Sequence, residues 1–115
     1  MNPGYFKEGN YIYECKSSPE QIDGPINQRS LQHWISSLKK LLRQEQPTAF
    51  NYIFPVNRLN EDNKKLLDQL KREFSDDVEI RYYDCDEVDR LINSLDKVGD
   101  FPELVKYIQN ARKQR

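Results

Sequence analysis

The sequence predicts a small α/β domain built around a mixed sheet. Short runs of aromatic and β-branched residues alternate with longer stretches in which apolar residues recur every three or four positions. Strands and helices that alternate in this way are joined by right-handed parallel crossovers. A turn sequence near the N-terminus also indicates an antiparallel hairpin. We therefore expect a hairpin followed by βαβ-type units, with helices on the sheet faces, in a single domain of 115 residues.

The N-terminal hairpin is predicted from the turn residues Glu8-Gly9-Asn10, because Gly and Asn favour tight hairpin turns. Residues 5–7 and 11–16 would be its two antiparallel strands. Side chains alternate between the faces of a strand, so Glu14 and Lys16 should point the same way. We expect their strand to lie near the middle of the sheet.

The first helix is predicted over residues 27–46, between Pro25 and Pro47. Its apolar side chains form a single stripe at helical spacing, which predicts the buried face: Leu31, Trp34, Ile35, Leu38, Leu41 and Leu42. Trp34 is therefore expected in the core. His33 has no partner at metal-ligand or catalytic spacing, and is expected to be a surface or boundary residue.

Two further strands and a helix follow. Residues 50–56 are aromatic and β-branched and predict a strand, whose hydrogen-bonded part should stop near Pro55. Asn60 is placed to cap a helix over 61–74. Residues 78–83 alternate apolar and polar side chains, which is typical of a strand with one buried face.

The C-terminal part of the chain is predicted to be helical. Asp84 or Asp86 would cap a helix that reaches about residue 95, and residues 99–102 would interrupt it. Leu104, Val105 and Ile108 then indicate a short last helix. We divide the single domain into a core over 5–95 and a C-terminal helix with a basic tail over 99–115.

Composition limits the classes of protein that the chain can represent. Eighteen basic and 19 acidic residues give a net charge of -1, so bulk charge does not indicate nucleic-acid binding, although a local basic patch is compatible with it. We see no apolar run near the roughly 18–20 residues of a membrane span and no signal peptide. Cys15 and Cys85 are far apart and are expected to be reduced thiols. These features predict a cytoplasmic protein.

A carboxylate and an ammonium group side by side suit a site that handles a metal ion and a phosphate. Carboxylate oxygens are preferred ligands of Mg²⁺, and lysine pairs with phosphate oxygens. Glu14 and Lys16 fit that description at the end of an apolar and aromatic strand. The alternative is that they form a solvated ion pair on one face of the strand.

The hairpin ending in Glu14-x-Lys16, followed by helix, strand, helix and strand, resembles the restriction-endonuclease-like PD-(D/E)XK nucleases. The Mrr-like and archaeal resolvase-like branches are the most similar. The resemblance covers roughly residues 5–95 and implies a restriction-endonuclease-like core. The helix opening at residues 27–31 resembles the segment in which many of these enzymes place a glutamine that faces the active site, here Gln28.

The resemblance implies a metal-dependent nuclease-like domain that acts on or binds DNA or RNA phosphodiesters, in defence, repair or recombination. Glu14 and the backbone carbonyl of Cys15 would ligate Mg²⁺ or Mn²⁺. Lys16 would orient the attacking water or stabilise charge on the phosphate. Gln28 would position the nucleophile or a backbone phosphate.

The chain departs from the family pattern upstream of Glu14. The family places a first acidic residue on the preceding strand, whereas this sequence offers the neutral Asn2 before Pro3, and Glu8 lies too close to the hairpin turn. The motif is therefore N-terminally incomplete. Either the chain is a truncated domain, or the acid comes from another subunit, or the site is degenerate and serves nucleic-acid binding or protein interaction.

The hairpin is also rich in tyrosine. Tyr5, Tyr11 and Tyr13 could stack on bases, cover a half-buried sheet or form a subunit interface. The family's first helix is absent, so this face is expected to be poorly covered. We therefore predict a homodimer, or contact with a partner subunit, through the hairpin.

Overall fold

The computed structural model describes residues 5–98 and 102–113. Its sheet has four strands in the order β1-β2-β3-β4. Their bounds are Phe6–Glu8 for β1, Tyr11–Cys15 for β2, Ala49–Ile53 for β3 and Glu79–Tyr83 for β4. Strand β1 pairs antiparallel with β2, and β2, β3 and β4 are parallel. The predicted mixed α/β fold with an N-terminal hairpin is confirmed, and Glu14 lies on an inner strand.

Within residues 5–98 and 102–113, four α-helices cover the sheet. They are α1 at Gln28–Glu45, α2 at Glu61–Glu73, α3 at Val88–Val98 and α4 at Pro102–Arg112, with a short 3-10 turn at Pro19–Gln21. Helices α1 and α2 pack on one face of the sheet and α3 and α4 on the other, so the domain has three layers. Helix α1 connects β2 to β3 and α2 connects β3 to β4. Because both connections are right-handed and each moves to the next strand in the same direction across the sheet, the two helices lie on the same face.

The alternation of side chains along the strands separates the core into two clusters. One cluster joins alternate strand residues to α1 and α2, and its strand members are Ile12, Phe50, Tyr52 and Ile80. The other joins the opposite face to α3 and α4, through Tyr13 and Ile53. This is the period of two that the sequence predicts, and it places Glu14 and Lys16 on the α1 face.

Side-chain caps mark the helix starts. Asn27 accepts a hydrogen bond from the first turn of α1 and Asn60 accepts one from α2. The caps of α1 and α2 satisfy N–H groups that have no partner within the helix. Asp84, one of the two aspartates predicted to cap α3, accepts from the backbone N–H groups of Asp86 and Glu87 in the turn that precedes the helix start at Val88.

The hydrogen-bonded part of β3 stops near Pro55, as predicted. The strand ends at Ile53, the Phe54 N–H still donates to the Tyr83 carbonyl at 2.8 Å, and residues 54–57 remain buried. Residues 99–101 of the predicted helix break lie outside the described part of the chain, as do Asn2 and Pro3. Among the described residues, no helix is long and apolar enough to span a membrane.

Candidate functional site

Glu14 and Lys16 form an ion pair at the C-terminal end of β2. The Lys16 N–H donates to the Ile53 carbonyl at 3.0 Å, so the pairing with β3 continues one residue past the strand. Both side chains therefore leave the sheet toward α1. The Lys16 Nζ lies 3.7 Å from Glu14 Oε1.

The Glu14 carboxylate is largely removed from water. Its side chain is 13% exposed, against 35% for Lys16. Burial raises the pKa of Glu14, and the charge and hydrogen bond of Lys16 oppose that shift. The alternative interpretation of the sequence is a solvated ion pair. The exposure of Lys16 fits that interpretation, whereas the burial of Glu14 does not.

A groove of about 320 Å³ opens beside this pair, between the end of β2 and the exposed edge of α1. Its lining combines the two charges with polar and apolar side chains of the helix: Glu14, Lys16, His33, Trp34, Ser37, Leu38 and Leu41. The Lys16 Nζ lies 5.7 Å from the centroid of the Trp34 ring, within the range of a cation–π contact.

Trp34 differs from its predicted position in the core. It is half-buried and packs against the core cluster while one side faces the groove. The buried members of the stripe are Leu31, Ile35, Leu38 and Leu42. Trp34 lies at the margin of that stripe. Helical spacing correctly predicts that it faces the core, but does not predict how much of its side chain is buried.

The Gln28 side chain does not line the groove with Glu14 and Lys16. Its Nε2 donates to the Asp62 carbonyl at 3.2 Å, and its Oε1 accepts from Asn63 Nδ2 at 2.7 Å. These bonds join the starts of α1 and α2. The Gln28 amide therefore contacts α2, and not the Glu14–Lys16 pair.

The Cys15 thiol faces the opposite side of the sheet, as strand alternation predicts. Its side chain packs with the α3–α4 cluster, and its N–H donates to the Tyr107 hydroxyl at 3.0 Å. Burial raises the pKa of Cys15 to about 12. Both cysteines are free, and the Cys15 thiol is protonated at neutral pH.

The described residues do not complete a Mg²⁺ site around Glu14. No group of three or more His, Cys, Asp or Glu side chains within them is arranged to hold a metal ion. Glu8 is opposite Tyr11 in the β1–β2 register, three positions along β2 from Glu14, or about 10 Å away. Glu14 thus contributes one carboxylate, and the position of Asn2, where the resemblance expects the other acid, lies outside the described residues.

The buried amide of Asn57, which no sequence pattern predicts to be important, stabilises the loop after Lys16. Asn57 is fully buried. Its Oδ1 accepts from the Ser18 N–H at 2.8 Å, and its Nδ2 donates to the carbonyls of Ser18, Gln21 and Gly24. This side chain connects residues 18–24 to the segment after β3, and so fixes the position of the loop that follows Lys16.

Comparison of the chain with protein-family models, with curated proteins and with solved structures gives no significant match. The features that bear on function are therefore the Glu14-x-Lys16 motif, the order of the elements and the geometry of the groove.

Proposed function

We propose that the chain is a cytoplasmic nuclease-like domain that acts on or binds DNA or RNA phosphodiesters in the groove beside Glu14 and Lys16. The observation that carries this proposal is the half-buried Glu14–Lys16 pair on one face of an inner strand. The element order and this motif resemble the restriction-endonuclease-like PD-(D/E)XK nucleases, which supply the class of substrate.

The groove contains groups suited to a nucleotide. The Lys16 ammonium can pair with a phosphate oxygen, and the exposed side of Trp34 can stack on a base. A phosphate drawn to Lys16 would compete with Glu14 for the same ammonium group. Binding is therefore expected to depend on how the buried Glu14 carboxylate is stabilised once Lys16 turns to the ligand.

Mg²⁺ or Mn²⁺ is the metal that the resemblance implies, and a bound divalent ion would polarise the phosphate and activate a water molecule. Of the described residues, Glu14 and the backbone carbonyl of Cys15 are the ligands expected. Because a single carboxylate binds Mg²⁺ weakly, cleavage requires another acidic residue from outside the described residues or from a second subunit.

A catalytically degenerate module is the second candidate. The single carboxylate at the groove and the commitment of Gln28 to α2 favour it. Such a module would keep the fold and bind nucleic acid, or a partner protein, without cleaving a phosphodiester. The two candidates differ in catalysis and share the groove.

Incubation of the protein with plasmid DNA, single-stranded DNA and RNA in Mg²⁺ or Mn²⁺ tests the proposal. We expect Glu14→Ala and Lys16→Ala to reduce cleavage roughly 100-fold or more, because the first removes a ligand of the metal ion and the second removes a positive charge beside the phosphate. Lys39→Ala is the matched control, because Lys39 also lies in an ion pair, at 2.8 Å from Glu73, away from the groove.

Binding separates the two candidates in the same experiment. Trp34 is the only tryptophan of the chain, so its fluorescence reports on the groove when an oligonucleotide is added. Binding that depends on Lys16 without cleavage would select the degenerate module. Neither binding nor cleavage by the parent protein, or cleavage that both substitutions leave unchanged, would contradict a nuclease-like function at this site.

Self-association through the hairpin is a further part of the proposal. Strand β1 is an edge strand, and Tyr11 is 42% exposed. Tyr13 is buried, and two other aromatic side chains of the hairpin are partly covered within the chain, since Phe6 packs on Tyr107 of α4 and the Tyr5 hydroxyl donates to Glu45 of α1. Tyr11 is the most exposed aromatic side chain of the hairpin among the described residues.

Light scattering measures this association directly. We expect a mass twice that of one chain, and a Tyr11→Ser variant that dissociates at a higher protein concentration than the parent. A parent protein that has the mass of a single chain at the same concentrations would exclude the hairpin dimer.

A further inference from the structure

Tyr52 has a hydroxyl group that is buried without a hydrogen-bond partner among the described residues. The side chain is fully buried in the α1–α2 core, next to the rings of Phe50 and Phe54 at centroid distances of 5.3 and 5.0 Å. Buried polar groups in folded proteins are almost always paired, and an unpaired one points to a strained or functional position.

Tyr52 is the direct neighbour of Glu14 in the sheet. The two residues are partners in the parallel β2–β3 register, and both side chains leave the same face. Paired strands lie about 4.8 Å apart, so a tyrosine hydroxyl and a glutamate carboxylate that start from this pair are within reach of each other. The charge of Glu14 adds to burial in raising the pKa of Tyr52.

Tyr82 shows how a tyrosine at the equivalent position is satisfied. It is the register partner of Tyr52 on β4 and points to the same face of the sheet. Its hydroxyl donates to Asp68 of α2 at 2.8 Å. The chain thus pairs one of two neighbouring tyrosines with a carboxylate, and leaves the other beside a carboxylate that is engaged with Lys16.

We propose that Tyr52 is a positioning residue of the candidate site, whose hydroxyl donates to the Glu14 carboxylate when Lys16 leaves it. This inference rests on the proposed function for its biological meaning, because a bound phosphate is what would draw Lys16 away. The Tyr52 hydroxyl stays neutral and supplies a hydrogen bond that a buried carboxylate requires. Glu14 then keeps its place and its charge beside the ligand.

Thermal unfolding tests the exchange of partners without any ligand. In the parent background we expect Tyr52→Phe to leave Tm unchanged or to raise it, because the hydroxyl it removes has no hydrogen bond there. In a Lys16→Met background, where Glu14 has lost its ammonium partner, Tyr52→Phe should lower Tm by about 5 °C. Lys16→Gln provides a second background if Lys16→Met does not fold.

The matched control is Tyr82→Phe, which removes a hydrogen bond to Asp68 and should lower Tm by the same amount in both backgrounds. Equal effects of Tyr52→Phe in the two backgrounds would overturn the proposal.

A separate titration with a single-stranded oligonucleotide, followed by Trp34 fluorescence, should show about tenfold weaker binding for Tyr52→Phe and parental binding for Tyr82→Phe. Absence of oligonucleotide binding by the parent would contradict the proposed function, whereas the unfolding measurements would still decide the role of Tyr52.

Discussion

Replacing Asn57 with alanine should lower the free energy of unfolding by about 3–5 kcal/mol. The amide makes four hydrogen bonds to the backbone of residues 18–24, and the residue is fully buried. Alanine would leave the Ser18 N–H unpaired in a buried position, which costs about 1–3 kcal/mol. The three carbonyls would each lose one hydrogen bond, at about 0.5–1.5 kcal/mol apiece, and would keep the bond that each accepts from a backbone N–H. Water that enters the cavity would recover part of this loss. Urea denaturation of the parent and the variant measures the difference.

Asn10→Ala is the matched control for that measurement. Asn10 is exposed, and its amide makes one side-chain hydrogen bond, to Thr48 Oγ1 at 2.7 Å. Its replacement should cost less than about 1 kcal/mol, since water can pair the group that is left. A loss for Asn57→Ala no larger than that for Asn10→Ala would show that the buried amide does not hold the loop after Lys16.

The elements that the sequence predicts well are those whose signals are local. Helix α1 begins and ends within one residue of the expected 27–46, because its stripe of leucines, its cap at Asn27 and its flanking prolines all lie within one stretch of chain. Asn60 likewise caps α2 through atoms three residues away. Period-two alternation also predicts that Glu14 and Lys16 share a face, and their ion pair at 3.7 Å agrees with this prediction.

Contacts between distant segments were not predictable in the same way. Gln28 occupies the expected helix, yet its amide bonds to Asp62 and Asn63, more than 30 residues away, and those partners depend on how α2 packs. Asn57 and Tyr52 belong to a continuous buried stretch. The residue types in that stretch do not reveal that the Asn57 amide makes several hydrogen bonds or that the Tyr52 hydroxyl makes none among the described residues. Only the fold brings Tyr52 beside Glu14 and Asn57 beside Ser18.

Raising the pH from 8 to 11 should lower the free energy of unfolding by about 2–3 kcal/mol through Cys15 alone. Burial between β2 and α4 raises the pKa of the folded thiol to about 12, from an ordinary value of 9.0. The folded chain therefore holds this proton more tightly than the unfolded chain does. The stability that results is fully present below about pH 9, and is lost as the pH rises toward the folded pKa.

Urea denaturation of Cys15→Ala at several pH values isolates this contribution. The variant has no thiol to ionise at that position, so its stability should fall less between pH 8 and 11 than that of the parent. Burial also raises the pKa of Tyr107, whose ionisation acts in the same direction and persists in the variant. Cys85→Ala keeps Cys15 and should retain its contribution. If Cys15→Ala and the parent lose the same stability between pH 8 and 11, burial against α4 does not hold the Cys15 thiol in its protonated form.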